Sequence, residues 1–276
     1  MRNRRSLLAL LLVGCNQIYG LERTQSIDAA YFDAPPPTCP PLGAPPVFTQ
    51  DFEQAVFQSC TDYTLSSTGR ALARCNRVIA EGAVGEPLVG AVGLEQTTSM
   101  TYDHPRLHPD GQSAIVRMTD RTGPRTAFAV FSRTDSGWVK SSEFSVPYTM
   151  LGSSAPSRDR HVVVVASGGA LRELADDGTG TWNEVLVHDF AELGITSLGD
   201  QVNLSADGLR LILVGSPIGK NEMNLLYADR ANETDRFSQA VPMPSLEYLP
   251  NGFLTEDCGR LYFSALGTVF YVEPMR

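Results

Sequence analysis

The chain is poor in what most catalytic and nucleic-acid functions need. Its 276 residues include two lysines, Lys140 and Lys220, and four histidines, His104, His108, His161 and His188. Gly137 and Pro217 stand three residues upstream of the lysines, so no Ser-x-x-Lys pair exists, and no Gly-x-Ser-x-Gly elbow occurs. No Walker or Rossmann glycine pattern follows a strand-like run, so no nucleotide cofactor, and no cofactor of any kind, is expected. Positive charge is scarce: 22 Lys and Arg stand against 31 Asp and Glu, a formal charge of −9. Arg2, Arg4 and Arg5 belong to a segment expected to be removed, which leaves the remainder more acidic still. Such a field repels a polyanion, and no basic cluster lies beyond these residues, so nucleic acid is set aside as a partner. The apolar run Leu7 to Val13 is too short to cross ~30 Å of hydrocarbon as a permanent helix. The length and the 42% hydrophobic content do suffice for one large all-β domain or two ordinary ones.

The N-terminus reads as an address. Three arginines, the apolar run Leu7 to Val13 and small Gly14 form a secretory signal pattern. Leu12-Val13-Gly14-Cys15 resembles the lipobox of bacterial lipoproteins at every position. That resemblance implies diacylglycerol transfer to the Cys15 thiol, cleavage before Cys15 and acylation of the new amine by a fatty acid such as palmitate. Several acyl chains, at ~0.8 kcal/mol per buried CH₂, make a stable membrane anchor where one chain would not. Asn16, where an Asp would mark inner-membrane retention in the enterobacterial sorting rule, favours the outer membrane, the periplasmic or surface-facing leaflet being left open. From Asn16 to Pro46 the chain carries Pro35-Pro36-Pro37, Pro40-Pro41 and Pro45-Pro46, a run too short of backbone donors for helix or sheet. Residues 1–14 are thus expected to be a signal peptide, 15–46 an anchor and tether, and 47–276 a folded domain.

Within that domain a unit recurs. Leu107-His108-Pro109-Asp110-Gly111, Leu204-Ser205-Ala206-Asp207-Gly208 and Leu254-Thr255-Glu256-Asp257-Cys258-Gly259 align, and Ala155 to Arg160 keeps the acid as Asp159 without a glycine. Leu65-Ser66-Ser67-Thr68-Gly69 keeps the glycine and replaces the acid by Thr. Each turn precedes an apolar strand: Ser113 to Met118, His161 to Ala166, Leu209 to Val214 and Arg260 to Phe263. A second strand follows at Thr126 to Ser132, Ala170 to Leu174, Met223 to Ala228 and Thr268 to Val272. An acidic or glycine-rich loop then leads to Trp138, Trp182 or Phe237, each opening a third run. Asp-Gly suits a two-residue hairpin because glycine takes the positive-φ position at little cost. Short strands repeated at nearly constant spacing are the pattern of propeller blades. The Ser/Thr-x-Asp-Gly turn resembles the WD40-like repeats of TolB-type propellers, over residues 47–276. The expectation is an all-β, five-bladed β-propeller of four-stranded antiparallel blades, six-bladed being the alternative. The last unit lacks a fourth strand, and residues 46–52 are expected to supply it, closing the ring.

The candidate site residues are few. Cys39, Cys60, Cys75 and Cys258 are an even number in an exported chain and read as two disulfides. Cys60 with Cys75 and Cys39 with Cys258 is the preferred pairing, out of three that four cysteines allow. His104 and His108 flank Pro105 and Pro109, which exclude a helix; in a strand their spacing places them on one side. They read as solvated histidines beside a turn acid, with no metal bound. Asp110, Asp159, Asp207 and Asp257, with Gly111, Gly208 and Gly259, read as structural turn residues, one set per blade. The aromatics at equivalent positions read as packing between blades.

The function these features favour is that of a lipid-anchored envelope propeller. It would act without catalysis, as a monomeric binding or scaffold module for a protein or envelope-polymer partner. An envelope hydrolase or lyase with a site on the propeller rim is the alternative, and it would need His, Glu and Arg converging outside the repeat positions. A sugar-binding module would use Tyr63, Tyr102 and Tyr148, aromatics off the repeat.

Overall fold

The computed structural model describes residues 39–274 apart from 46, 49–52, 59, 67, 84–85, 122–125, 146–161, 177–180, 206, 245, 247–251, 256–257 and 266–267. The signal segment, Cys15, most of the tether, Asp159, Asp257 and Tyr148 lie outside the described residues. The elements among the described residues are all strands. After β1 (Glu53–Gln58) come β2 (Cys60–Leu65), β3 (Arg70–Cys75), β4 (Val78–Ala83) and β5 (Val89–Gly90), then β6 (Met100–Leu107), β7 (Ser113–Asp120), β8 (Thr126–Thr134) and β9 (Gly137–Phe144). They are followed by β10 (Val162–Ser167), β11 (Ala170–Asp176) and β12 (Trp182–Asp189). Next are β13 (Ile195–Leu204), β14 (Arg210–Pro217), β15 (Asn224–Asp229) and β16 (Val241–Pro242), and last β17 (Gly252–Leu254), β18 (Leu261–Ala265) and β19 (Thr268–Val272). Four sheets have four strands, β2 to β5, β6 to β9, β13 to β16 and β1-β19-β18-β17; β10 to β12 make a three-stranded sheet. Every pairing is antiparallel. The chain is an all-β propeller.

Its core explains the apolar strands. Successive side chains of a strand point to opposite faces. Leu211 and Leu213 of β14 therefore join Leu226 and Ala228 against Leu171 and Ala175 of the preceding sheet, while Ile212 and Val214 join Leu225 and Tyr227 against Leu254, Leu261 and Phe263 of the next. In the same way Val116, Ala129 and Phe131 pack on Leu72 and Ile79, and Phe128 and Val130 pack on Leu174. Tyr63, Ala71 and Ala73 complete the circuit by packing on Tyr262, Val269 and Tyr271. A sheet buried on both faces needs continuous rather than alternating apolar runs, which is what Leu211 to Val214 supplies.

Two expectations are corrected. Among the described residues the strand that pairs with β19 is Glu53–Gln58, with Glu53 opposite Tyr271 and Gln54 opposite Phe270, while of the expected closing strand residues 46 and 49–52 lie outside the described residues. Phe48 instead makes an isolated bridge to Pro274 and is fully buried between the last two sheets, against Leu225, Met243 and Val272. Its burial there removes a large apolar ring from water. The turns also differ from two-residue hairpins. In the fourth sheet the Gly208 N–H donates to the Ser205 carbonyl and the Ser205 N–H to the Arg210 carbonyl, both at 2.8 Å, so the loop spans four residues. Ser205 Oγ accepts the Arg210 N–H at 2.8 Å and Asp207 Oδ1 accepts the Leu209 N–H at 3.0 Å, which closes the wider loop.

Candidate functional site

The repeated residues are structural where they are described. Gly69, Gly111 and Gly208 hold φ of +76°, +70° and +72°. Each donates its N–H to the carbonyl three residues earlier, on Ser66, His108 and Ser205. Asp110 Oδ1 accepts the Gln112 N–H at 2.7 Å as Asp207 does for Leu209. In the last repeat the expected glycine is not the one at Gly259. Cys258 takes the left-handed position, φ +57°, and donates to the Thr255 carbonyl. Its thiol is needed there, because a disulfide joins Cys258 to Cys39; a second joins Cys60 to Cys75 across β2 and β3. The aromatics sit between sheets: Trp138 against Leu72 and Ile79, Trp182 stacked on Phe144 at 4.1 Å, and Phe237 under the Arg230 guanidinium at 4.3 Å.

A regularity of the turns escaped the sequence reading. Arginine opens the strand after two of them and directly precedes it after a third, and each guanidinium reaches an acid in or directly after a strand of the same sheet. Arg70 lies 3.4 Å from Glu81, Arg210 grips Asp229, and Arg260 Nη2 is 2.8 Å from Glu273. The Arg210–Asp229 pair also fastens the tether. Arg210 Nη2 donates to the Ala44 carbonyl at 3.0 Å, and the Gly43 N–H donates to Asp229 Oδ2 at 2.7 Å. Together with Cys39–Cys258, this seats residues 39–44 on the last two sheets.

The polar residues off the repeat gather where β2 meets β6. Strand β6 carries a bulge between Asp103 and Arg106, at Pro105, which has no N–H to give the ladder. His104 sits in the bulge at φ +46°, a conformation non-glycine residues adopt at a cost and chiefly where function or packing demands it. The bulge turns His104 towards the neighbouring sheet, with Nδ1 3.3 Å from Asp62 Oδ1. Burial pushes the Asp62 carboxyl up, but the His104 contact and the charges of His104, Arg106 and Arg74 outweigh it and hold the pKa at about 2. Beside them Arg117 Nε donates to Asp103 Oδ1 at 2.6 Å, and Leu107 N–H donates to Thr64 Oγ1 across the two strands. Arg106 is 1% exposed; its Nη1 donates to the Pro105 carbonyl, and burial lowers its pKa.

This corrects the reading of the histidines. His104 and His108 are both buried, not solvated, and the bulge together with the end of β6 at Leu107 removes the strand geometry that would align them. His108 Nδ1 lies 3.1 Å from Asp110 while His104 faces Asp62. Among the described residues no three His, Cys, Asp or Glu side chains are placed to hold a metal ion. A second buried polar group, His188 Nε2 2.6 Å from Glu173 with Arg230 Nη1 at 2.7 Å on the same oxygen, lies between the third and fourth sheets. The sequence alone does not single out Asp62, Arg106 or Glu173. The one signal for Arg106 is a charged residue directly after a proline inside a strand.

No protein-family model matches the chain, and no curated protein does. Solved structures resemble it. A gluconolactonase from Xanthomonas campestris gives a TM-score of 0.50 at 12% identity, over 78% of this chain and 72% of that one. A protein of unknown function from Bacteroides caccae gives 0.46 at 13% identity, over 78% and 71%. The propeller of Dos1 gives 0.42 at 12%, over 78% and 68%. At 12% identity the first of these is a likeness of fold alone, and it accords with the β-propeller that the antiparallel sheets form.

Proposed function

We propose that the chain is a lipid-anchored protein of the bacterial cell envelope. Its five sheets are five blades of one propeller with WD40-like, TolB-type repeats. The propeller acts without catalysis as a binding or scaffold module for a protein or envelope-polymer partner. The observation that carries this reading is the fastening of residues 39–44. The end of a proline-rich tether is bolted to the propeller by a disulfide and by the Arg210–Asp229 pair, as a domain displayed on a leash requires. Disulfides persist in oxidising compartments, which supports an exported site of action. Metabolic labelling with a fatty-acid analogue tests the anchor: wild type takes label and Cys15→Ala does not. Cross-linking of intact envelopes followed by pull-down tests the partner. Equal label on the two chains, or no partner recovered above a mock, overturns the reading.

A rim hydrolase or lyase is the second reading, and the Asp62–His104 contact beside Arg106 favours it. An acid that orients an imidazole next to a cation is the arrangement general-base chemistry uses. His104→Gln abolishing turnover of an envelope substrate, with an unchanged melting temperature, would support it.

A further inference from the structure

Among the described residues four arginines are buried, and three of them have an acid in reach: Arg210 with Asp229, Arg230 with Glu173 and Arg260 with Glu273. Arg106 is the fourth, and among the described residues its Nε and Nη2 meet no acceptor. The edge left open is the edge that works elsewhere in this molecule. Arg210 donates through Nε to Asp229 Oδ1 and through Nη2 to Asp229 Oδ2, both at 2.7 Å, the side-on fork that fits a planar carboxylate. Neither local acid bonds that edge, although the Asp62 charge acts on Arg106. Asp62 faces His104, and Asp103 is taken by Arg117. Buried guanidinium N–H groups without an acceptor are costly, and a fold that keeps two of them beside a strained histidine in a bulged strand has a use for them.

We propose that the Nε and Nη2 edge of Arg106, flanked by His104, binds the carboxylate of a small ligand where β2 meets β6. The planar oxyanion takes both vacant N–H groups, as Asp229 does on Arg210. Strands β2 and β6 are the first of their sheets, and in a propeller the first strands border the central channel. The inference rests on the binding reading of the domain and is independent of its lipid anchor.

The test uses the full-length chain in detergent micelles at pH 7, with sodium acetate as the probe and sodium chloride at matched ionic strength as the control. Acetate raises the melting temperature saturably and chloride does not, because a ligand that binds only the folded state stabilises it by mass action. Arg106→Lys keeps the charge but loses the fork, so the half-saturating acetate concentration rises by about tenfold or more. Arg106→Met removes both orphaned N–H groups and shows no acetate response. Line broadening of ¹³C-acetate in the presence of wild type, lost with Arg106→Lys, gives a readout that does not depend on folding of the Met variant. Equal effects of acetate and chloride, or an acetate response kept by Arg106→Lys at unchanged concentration, overturn the proposal. Inorganic phosphate acting at lower concentration than acetate overturns the carboxylate assignment. A chain that carries lipid label and recovers its partner but ignores acetate loses this inference and leaves the anchored binding reading intact.

Discussion

At the scale of single residues the cluster around Asp62 is where energetics and function meet. Its carboxyl is held at about 2 against an ordinary 3.8. The folded state therefore prefers the charged form, and the gain is present above pH 4 and lost as the pH falls towards 2. A shift of this size corresponds to about 2 kcal/mol at neutral pH. Asp62→Asn is expected to lower the melting temperature at pH 7 and to flatten its decline between pH 4 and pH 2; melts of both chains across that interval check it, and parallel pH profiles would remove Asp62 as a determinant. Little of this cluster was legible beforehand. His104 stood out by rarity, but its partner comes from the neighbouring sheet, and no spacing within one strand announces a contact between two. The bulge that aims His104 depends on Pro105 meeting the ladder of β7, which is a property of the pairing and not of the strand alone.

At the scale of elements the repeat was legible and its exceptions were not. The Asp-Gly turns and apolar runs place β7, β8, β14, β15 and β19 because glycine at positive φ and burial on both faces are local demands. Where a second demand competes, the pattern misleads. Cys258 occupies the glycine position because its sulfur is bonded to Cys39, and Phe48 leaves the ladder to fill the space between two sheets. The fully buried Phe48 ring makes Phe48→Ala costly, by about 3–5 kcal/mol, since a cavity opens between β15 and β18. Urea unfolding measures it; a loss under about 1 kcal/mol would mean that the neighbouring sheets collapse into the space. The clamp on the tether has its own test. Asp229→Ala strands the Arg210 guanidinium and releases the Gly43 N–H, and breaking one partner of a buried pair costs about 3–5 kcal/mol. Limited proteolysis of the variant is expected to cut within residues 39–45 sooner than in wild type. Unchanged cleavage there would leave the disulfide as the sole fastening.

At the scale of the whole molecule, stability is shared around a ring. Each core is built by two neighbouring sheets, and the circuit closes where the last sheet meets the first. The same last sheet holds the N-terminal segment at three places: the Cys39–Cys258 bond, the Phe48 bridge to Pro274 and the β1 ladder on β19. They are not equivalent. A strand at the edge of a sheet opens locally at far lower cost than the whole domain unfolds, and how far it strays depends on its leash. With the disulfide intact, a short stretch separates Cys39 from Glu53, so a detached β1 stays close to β19 and rebinds at high effective concentration. Replacing Cys39 by Ser and Cys258 by Gly removes the leash. It also puts glycine where the backbone holds φ +57°, so strain at that turn is relieved and not added. Hydrogen exchange should then quicken in β1 and β19 by about tenfold or more, the ratio of a leashed to a free rebinding step. The amides of β14 and β15, buried on both faces by other sheets, should keep their rates under conditions where exchange proceeds by local opening. Acceleration spread evenly over β14, β15 and β19 would mean that the bond stabilises the domain as a whole through the unfolded chain, and that ring closure by β1 needs no help from the tether.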